Sequence, residues 1–392
     1  MRYSPTLLNP TSWLNSLKIS ELQRIAQATG IRTAGPKPAL ISRLGTELAQ
    51  YEFPSSSSSS HNQPQKQQPP PSSKNKNLSI LSIDMGIRNL AFAHLTVPNP
   101  TSTPGHSTTP TLNAWHRLAV SDLSPDSTIT TTTNTSALDR ATLPQNTGSE
   151  AADLTLKGSF SPPLYAEQAY ALITTLLATY QPTHVLIERQ RFRTGSGSAV
   201  QEWTLKVGVF EGMLYAVLYT LKRERVGGGS APVVLGVEPQ RVARFWGDGG
   251  VNGDGEGAKK VKRTSREGKR VKIDLVGGWL DSAVAVNDGV VPISDEVRTD
   301  LKVEVGGDQE LRGLVDSYLV KWKRMEKEME KSAKKVRPND KIGENGFPRG
   351  IVANIGKLDD LADCLLQGVT WLDWQIMRNR VLREGAQAVG IE

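Results

Sequence analysis

The chain has 392 residues, 38% of them hydrophobic, and a formal net charge of +7. Its length accommodates one large domain or two ordinary ones, and the low hydrophobic content predicts long segments outside any core. The basic balance favours a polyanionic partner. The single cysteine, Cys364, excludes an intrachain disulfide and a cysteine-based zinc site. No apolar stretch approaches the length that spans a bilayer, so we expect no membrane partner.

The first residues of the chain have the composition of a targeting segment. MRYSPTLLNPTSWLNSLK contains Arg2 and Lys18, several Ser and Thr, and no acid before Glu21. This pattern is typical of a mitochondrial transit peptide, but it is equally typical of a polar N-terminal arm, and both interpretations stay open.

Residues 1–52 predict a small helical module. The segments LKISELQRIAQATGI and LISRL have apolar residues at helical spacing, and Gly35 and Lys37 lie in the turn between them. This pattern resembles the SAP motif, a small DNA-binding module, and the resemblance implies that Lys37 contacts DNA. Pro36 and Pro38 depart from the motif at the turn. A helical hairpin that only caps another domain is the alternative.

The rest of the chain predicts one interrupted α/β domain. Residues 53–77 are rich in Ser, Pro and Gln and predict a flexible linker. Residues 78–392 then alternate strand and helix patterns, which indicates an α/β sheet. Within this domain, residues 98–161 form a low-complexity insertion with one predicted strand, TLNAWHRLAV. Residues 247–272 predict a loop rich in glycine and basic residues.

Acidic residues stand out on apolar segments of this domain. Asp84 ends the strand LSILSID, Glu188 ends the strand HVLIE, and Asp359, Asp360 and Asp363 begin the helix pattern KLDDLADCLLQGV. Burial of an unpaired carboxylate is costly, and several carboxylates at strand ends are explained by a cation among them. Oxygen ligands of this kind suit Mg²⁺. Each acid alone has a simpler explanation, as a turn cap or a residue that favours the first turn of a helix.

The segments LSIDMGIRNLAFA, VLIERQRFRTG and KLDDLADCLLQGVTWLDWQ together resemble the fungal mitochondrial Holliday-junction resolvases. The resemblance implies an RNase H-like (RuvC-type) mixed β-sheet flanked by helices. It also implies Mg²⁺, with Mn²⁺ as a substitute, held by Asp84, Glu188, Asp360 and Asp363, with Asp359 as the alternative to Asp360. The implied activity is paired cleavage of four-way junction DNA by a homodimer in the mitochondrial matrix, with no small-molecule substrate.

Two basic segments are candidates for DNA contact. Alternating arginines after the second acid could reach phosphates, and an aromatic residue among them could stack at an opened base step. A basic run follows the glycine loop and predicts salt-dependent phosphate contacts. The predicted DNA-binding residues are Arg189, Gln190, Arg191, Phe192, Arg193, Lys259, Lys260, Lys262, Arg263, Lys269 and Arg270. Solvated side chains, or a nuclear-type address in the basic run, are the alternatives.

Two other functions are compatible with parts of the sequence. An actin-like or sugar-kinase-like ATPase also begins with Asp-x-Gly on a first hairpin. It needs a second such hairpin, whereas Asp248 and Gly249 lie in a glycine loop with no strand pattern around them. A protein that packages DNA without cutting it would need only the SAP-like module and the basic run. The acids, all present, argue against that second function.

Overall fold

The computed structural model describes residues 11–50, 77–98, 109–120, 161–190, 202–224, 231–247, 265–287, 301–335 and 358–391. The described strands are β1 Leu78–Asp84, β2 Leu90–Val97, β3 Thr111–Leu118, β4 His184–Glu188, β5 Val233–Val237 and β6 Glu304–Val305. The described α-helices are α1 Ile19–Ala28, α2 Lys37–Glu47, α3 Pro162–Tyr180, α4 Glu202–Glu224, α5 Pro239–Gly247, α6 Ser265–Asn287, α7 Gln309–Lys335 and α8 Leu358–Glu384. Short 3-10 helices occupy Ser12–Asn15 and Gly385–Val389.

The six strands form one mixed sheet in the order β5-β4-β1-β2-β3-β6. Strands β1, β2 and β3 form an antiparallel meander, whereas β4 pairs parallel to β1 and β5 pairs parallel to β4. Strands β1 and β2 form a hairpin that turns at Gly86, and a Cβ at this glycine would lie 2.8 Å from the carbonyl oxygen of Asn89. This arrangement confirms the expected mixed sheet, which is flanked by helices.

Helices cover both faces of the sheet. Helices α3 and α4 pack on one face, where Leu81 and Ile83 of β1 point, and α5 to α8 pack on the other. Because side chains alternate along a strand, Ser82 and Asp84 face α8. Helix α8 lies close to the sheet at Gly368, where a Cβ would be 2.7 Å from Leu95 Cδ1. The sheet therefore brings the end of β1 to the beginning of α8.

The strand predicted inside the low-complexity insertion is a central part of the fold. It is β3, and its Trp115 is fully buried and donates a hydrogen bond from Nε1 to the carbonyl oxygen of Leu361 at 2.9 Å. The loop predicted to reach residue 272 ends earlier, because α6 begins at Ser265. Helix α6 is amphipathic, with Ile273, Val276, Leu280 and Ala283 buried against α7 and α8, and this apolar spacing extends the helix into the basic run.

Helix α4 corrects one expectation from the sequence. By length and composition it is apolar enough to cross a membrane, so the prediction that no stretch approaches that length is wrong. One such helix is weak evidence for a membrane span, because core helices of globular domains share these properties. One face of α4 is in the core, with Phe210, Leu214 and Leu218 buried beside α3.

The N-terminal module shares its core with the C-terminal end of the chain. Leu22 and Leu40 belong to one buried cluster with Val381, Val389 and Ile391. Residues of the module and of the C-terminal segment are therefore buried by the same contacts.

Candidate functional site

The ends of two neighbouring strands bring the first pair of acids together. Asp84 ends β1, Glu188 ends β4, and the parallel register pairs Ile83 with Ile187. Burial, followed by the charge of Glu188 and a hydrogen bond to its carboxyl group, raises the pKa of Asp84 well above its usual value. The charged form of Asp84 is therefore unfavourable at this position, and a bound cation would offset that cost.

The beginning of α8 adds two more acids to this pair. The charges of Asp363 and Asp360 contribute to the raised pKa of Asp84. Burial, followed by the charge of Asp359, raises the pKa of Asp360 to about 6, although Arg117 opposes the change. Burial also raises the pKa of Asp363. The structure thus places the sequence-predicted acids of the two strands and of α8 together, beside the carboxyl ends of β1 and β4.

Arg117 on β3 holds Asp360 in place. Its Nε lies 3.1 Å from Asp360 Oδ2, and its terminal nitrogen donates a hydrogen bond to Asn89 Oδ1. The sheet register places it there, because Ala91 of β2 pairs with both Asp84 and Arg117. The arginine therefore connects the hairpin beside Asp84 to the beginning of α8.

Two lysines of α6 contact the other helix acids. Lys272 Nζ lies 2.6 Å from Asp363 Oδ1, and the Lys269 ammonium pairs with Asp359 Oδ2. Burial alone would lower the pKa of Lys272, but the charge of Asp363 and its hydrogen bond outweigh burial, so this pKa is raised. Asp359 is 5% exposed, and its Oδ1 is buried without a hydrogen-bond partner within the described residues. Lys269 was predicted to contact DNA, and in the structure it contacts an acid of α8.

The acids are chemically suited to a hard divalent cation, although their side chains do not form a complete coordination site in this structure. Among the residues that the structure describes, no three His, Cys, Asp or Glu side chains are spaced to hold a metal ion. Asp360 and Asp363 are instead neutralised by Arg117 and Lys272. The donor set consists of carboxylate oxygens, which Mg²⁺ prefers. A cation beside Asp84 would offset the burial and the neighbouring negative charges that raise the pKa of this residue.

Two glutamines donate hydrogen bonds to groups beside the acidic site. Gln190 Nε2 donates to Glu188 Oε2 at 3.2 Å, and its main-chain nitrogen donates to Glu211 Oε2 at 3.1 Å. Gln367 Nε2 donates to Ser82 Oγ at 3.0 Å, from one turn beyond the acids of α8. Sequence reasoning missed Glu211 and Gln367. The signal for Gln367 was an amide on the buried face of an apolar helix.

The described DNA-binding candidates have protein partners in this structure. The side chain of Arg189 packs across β5, Arg270 Nε lies 3.0 Å from Asp274 Oδ2, and Lys37 Nζ donates to the Asn15 carbonyl oxygen at 3.2 Å. A DNA contact from Arg270 or Lys37 would therefore compete with an existing interaction. The candidates outside the described residues are Arg191, Phe192, Arg193, Lys259, Lys260, Lys262 and Arg263.

Comparison of the chain with known protein families gives two matches. The family described as "Mitochondrial resolvase Ydc2 / RNA splicing MRS1" matches residues 80–381. The chain belongs to this family. The resemblance that the sequence motifs indicated is confirmed, because all of the predicted acids lie within the matched span. A SAP domain matches residues 13–44, which confirms the motif predicted in the N-terminal module.

Individual relatives of this resolvase family member are distant. The Schizosaccharomyces pombe protein "Cruciform cutting endonuclease 1, mitochondrial" is 24% identical over 232 residues, which cover 59% of this chain and 67% of that protein. The crystal structure of the yeast mitochondrial Holliday junction resolvase Ydc2 has a TM-score of 0.47 and 19% identity, and the match covers 95% of this chain and 98% of that chain. Thermus thermophilus RuvC in complex with Holliday junction substrate has a TM-score of 0.23 and 14% identity, over 43% and 70% of the two chains.

Proposed function

We propose that this protein is a structure-selective endodeoxyribonuclease that resolves four-way DNA junctions by metal-dependent phosphodiester hydrolysis. The observation that carries the proposal is the convergence of Asp84, Glu188, Asp360 and Asp363 at one edge of the sheet, in a chain of the resolvase family. The name of the Schizosaccharomyces pombe relative, a mitochondrial cruciform cutting endonuclease, supports a mitochondrial location. We propose that the protein acts in the mitochondrial matrix, in recombination of mitochondrial DNA.

The metal ligands would be Asp84 and Glu188 from the strands with Asp360 and Asp363 from α8. Asp360 is favoured over Asp359 because its charge acts on Asp84, whereas Asp359 is buried beside Lys269. Bound Mg²⁺, or Mn²⁺ in its place, supplies an activated water and stabilises charge on the leaving oxygen.

The protein side chains would position this chemistry. Gln190 orients Glu188, and Arg117 orients Asp360, so both carboxylates are held before substrate binds. Lys272 occupies the position of a cation beside Asp363, and it would leave that carboxylate when metal binds. Its ammonium would then be free to contact a phosphate at the same edge of the sheet.

The exposed face of α4 would join two copies of the chain. Leu205 and Val209 are 48% and 47% exposed, and Tyr219 is 65% exposed. On the same side, a Cβ added at Gly212 would meet nothing within 4 Å, so another helix can approach closely. We propose a homodimer through this face, because paired cuts in a four-way junction need two sites related by symmetry. Val209→Glu should make the protein monomeric in light scattering, and a dimer that persists in this variant would contradict the assignment.

The decisive experiment is cleavage of a labelled four-way junction in Mg²⁺. Parallel reactions would contain a duplex, a three-way junction, an RNA–DNA hybrid and a structured RNA. Asp84→Asn should abolish paired nicks while junction binding persists, and Asp316→Asn on the exposed side of α7 is the matched control. Tight binding by the wild-type protein without any nick would favour a packaging protein. Cleavage of the hybrid alone would favour a ribonuclease H, and either result would refute the proposal.

A further inference from the structure

A cleft separates the N-terminal module from the sheet domain. It has a volume of about 150 Å³, and none of the acids described above lines it. One wall comes from α1 and the residues that follow it, including Arg32 and Thr33. The other wall comes from α5, including Arg241 and Arg244. The cleft is therefore built jointly by the module and the sheet domain.

The cleft is basic, and two of its cations are uncommitted. Arg32 and Arg244 are exposed, and within the described residues neither guanidinium has a hydrogen bond or an ion pair. Arg241 is held from both sides, because its Nη1 donates to the Gly30 carbonyl oxygen at 2.6 Å and its Nε lies 3.4 Å from Glu238 Oε2. The lining of the cleft thus contains three arginines and one glutamate. This excess of positive charge suits an anionic ligand.

Contacts between the two walls fix the separation of the free arginines. Gln27 Nε2 on α1 donates to the carbonyl oxygen of Arg244 at 3.2 Å. Gly30 has a φ of +65°, and a Cβ there would lie 2.1 Å from the Trp374 ring of α8. Arg378 Nε donates to the carbonyl oxygen of Thr29 at 2.9 Å. The module is therefore locked against the sheet domain beside the cleft, and a ligand would meet a preformed site.

The position of the cleft relates it to the carboxylates. Val237 ends β5 and pairs in register with Glu188, and α5 begins at Pro239 immediately afterwards. Strands β5, β4 and β1 are parallel, so Glu238 leaves the sheet at the same edge as Asp84. Neighbouring strands are about 5 Å apart, so the base of α5 lies roughly 10 Å from the end of β1 along this edge.

We infer that this cleft binds a phosphodiester group of a DNA arm whose scissile strand lies at the carboxylates. Arg32 and Arg244 would contact phosphate oxygens, the Thr33 hydroxyl would add a donor, and Arg241 would position the two walls. Guanidinium groups suit this ligand because they donate paired hydrogen bonds to phosphate oxygens. The inference rests on the proposed function for the identity of the nucleic acid. It extends the DNA-binding surface beyond the SAP-like module onto α5.

The test measures binding to a labelled four-way junction with metal chelated, across a range of salt concentrations. Arg32→Gln/Arg244→Gln should reduce the salt slope by about 1 to 2, because each phosphate contact contributes about 0.9. The same relation predicts affinity weaker by roughly tenfold to sixtyfold at 0.1 M salt. Arg324→Gln/Arg383→Gln, which removes two exposed arginines elsewhere, should bind like the wild type. Arg32→Lys/Arg244→Lys should retain most of the slope, which separates charge from packing.

Each outcome decides between the cleft and the wider proposal. If the glutamine variant binds like its control, the cleft is refuted, even if the wild type cleaves junctions. If the glutamine variant loses affinity and slope while the wild type fails to cleave, the cleft stands and the resolvase proposal falls. If the variant loses affinity only for a structured RNA, the assignment to DNA is wrong. A lowered melting temperature of the glutamine variant, with the lysine variant equally weak in binding, would show a packing role and would also refute the inference.

Discussion

Replacing Asp360 with asparagine removes one charge from the acidic site while keeping the size of the side chain. In the absence of metal, the folded protein must hold this carboxylate near Asp359 and Asp363 in a partly buried position. The pKa of Asp360 is about 6 against an ordinary 3.8, so the folded state favours the protonated form. Asparagine imitates that neutral form at every pH. The variant should therefore be more stable than the wild type, although it loses a proposed metal ligand.

The size and pH dependence of the effect follow from the two pKa values. Below pH 3.8 the carboxyl group is protonated in both the folded and unfolded states, so the variant and the wild type should be equally stable. As pH rises from 3.8 through about 6, the unfolded state releases its proton first, and the wild type loses stability. The difference corresponds to about 3 kcal/mol above pH 6, as an upper bound for a side chain that retains some solvent contact.

The assay is urea unfolding at several pH values with metal chelated, followed by the same series in excess Mg²⁺. The stability advantage of Asp360→Asn should appear only above pH 4 and should shrink in Mg²⁺, because bound metal stabilises the wild type more than the variant. Asp316→Asn, an exposed acid on α7, should show neither effect. An advantage that is independent of pH, or a variant that is less stable at pH 7, would refute the electrostatic account of the site.

Three further substitutions test the surrounding structure. Gly30→Ala should destabilise the protein by more than about 2 kcal/mol in urea unfolding, because the φ of Gly30 is positive and the added Cβ would overlap the Trp374 ring. Unchanged stability would refute the packing of the N-terminal module against α8. Lys272→Met should lower the free energy of unfolding by roughly 1–3 kcal/mol without metal, because Asp363 loses the Lys272 ammonium that lies 2.6 Å from it. Excess Mg²⁺ should restore this stability in urea unfolding, and no restoration would contradict a shared position for the two cations. Trp115→Phe should cost about 1–3 kcal/mol in thermal unfolding, because a fully buried side chain loses volume and its hydrogen bond to the Leu361 carbonyl oxygen. A neutral result would refute that contact.

Sequence reasoning succeeded where the functional residue is adjacent to the pattern that reveals it. Asp84 stands at the end of its own apolar strand, so the strand and the acid were predicted together. Arg117 is different, because it reaches Asp360 through the pairing of β3 with β2, and no residue near it in the sequence marks that partner. Lys272 was visible only as part of a basic run, and its partner Asp363 is on another helix. Contacts of this kind are decided by sheet register and helix packing, which single-sequence patterns do not contain.

The N-terminal module shows the same limit on a larger scale, with a consequence for how DNA would be held. Its helices were predicted from local spacing, but the contact between Arg378 and the Thr29 carbonyl oxygen joins positions that are 349 residues apart. Since Val389 and Ile391 complete the module's buried cluster, the module is packed against the sheet domain, whatever the length of the linker between them. A DNA arm bound to a module fixed in this way has a defined direction relative to Asp84. Loosening the module at Gly30, by Gly30→Ala, should therefore weaken junction binding through the cleft and also slow cleavage of the junction that remains bound, as measured in single-turnover reactions.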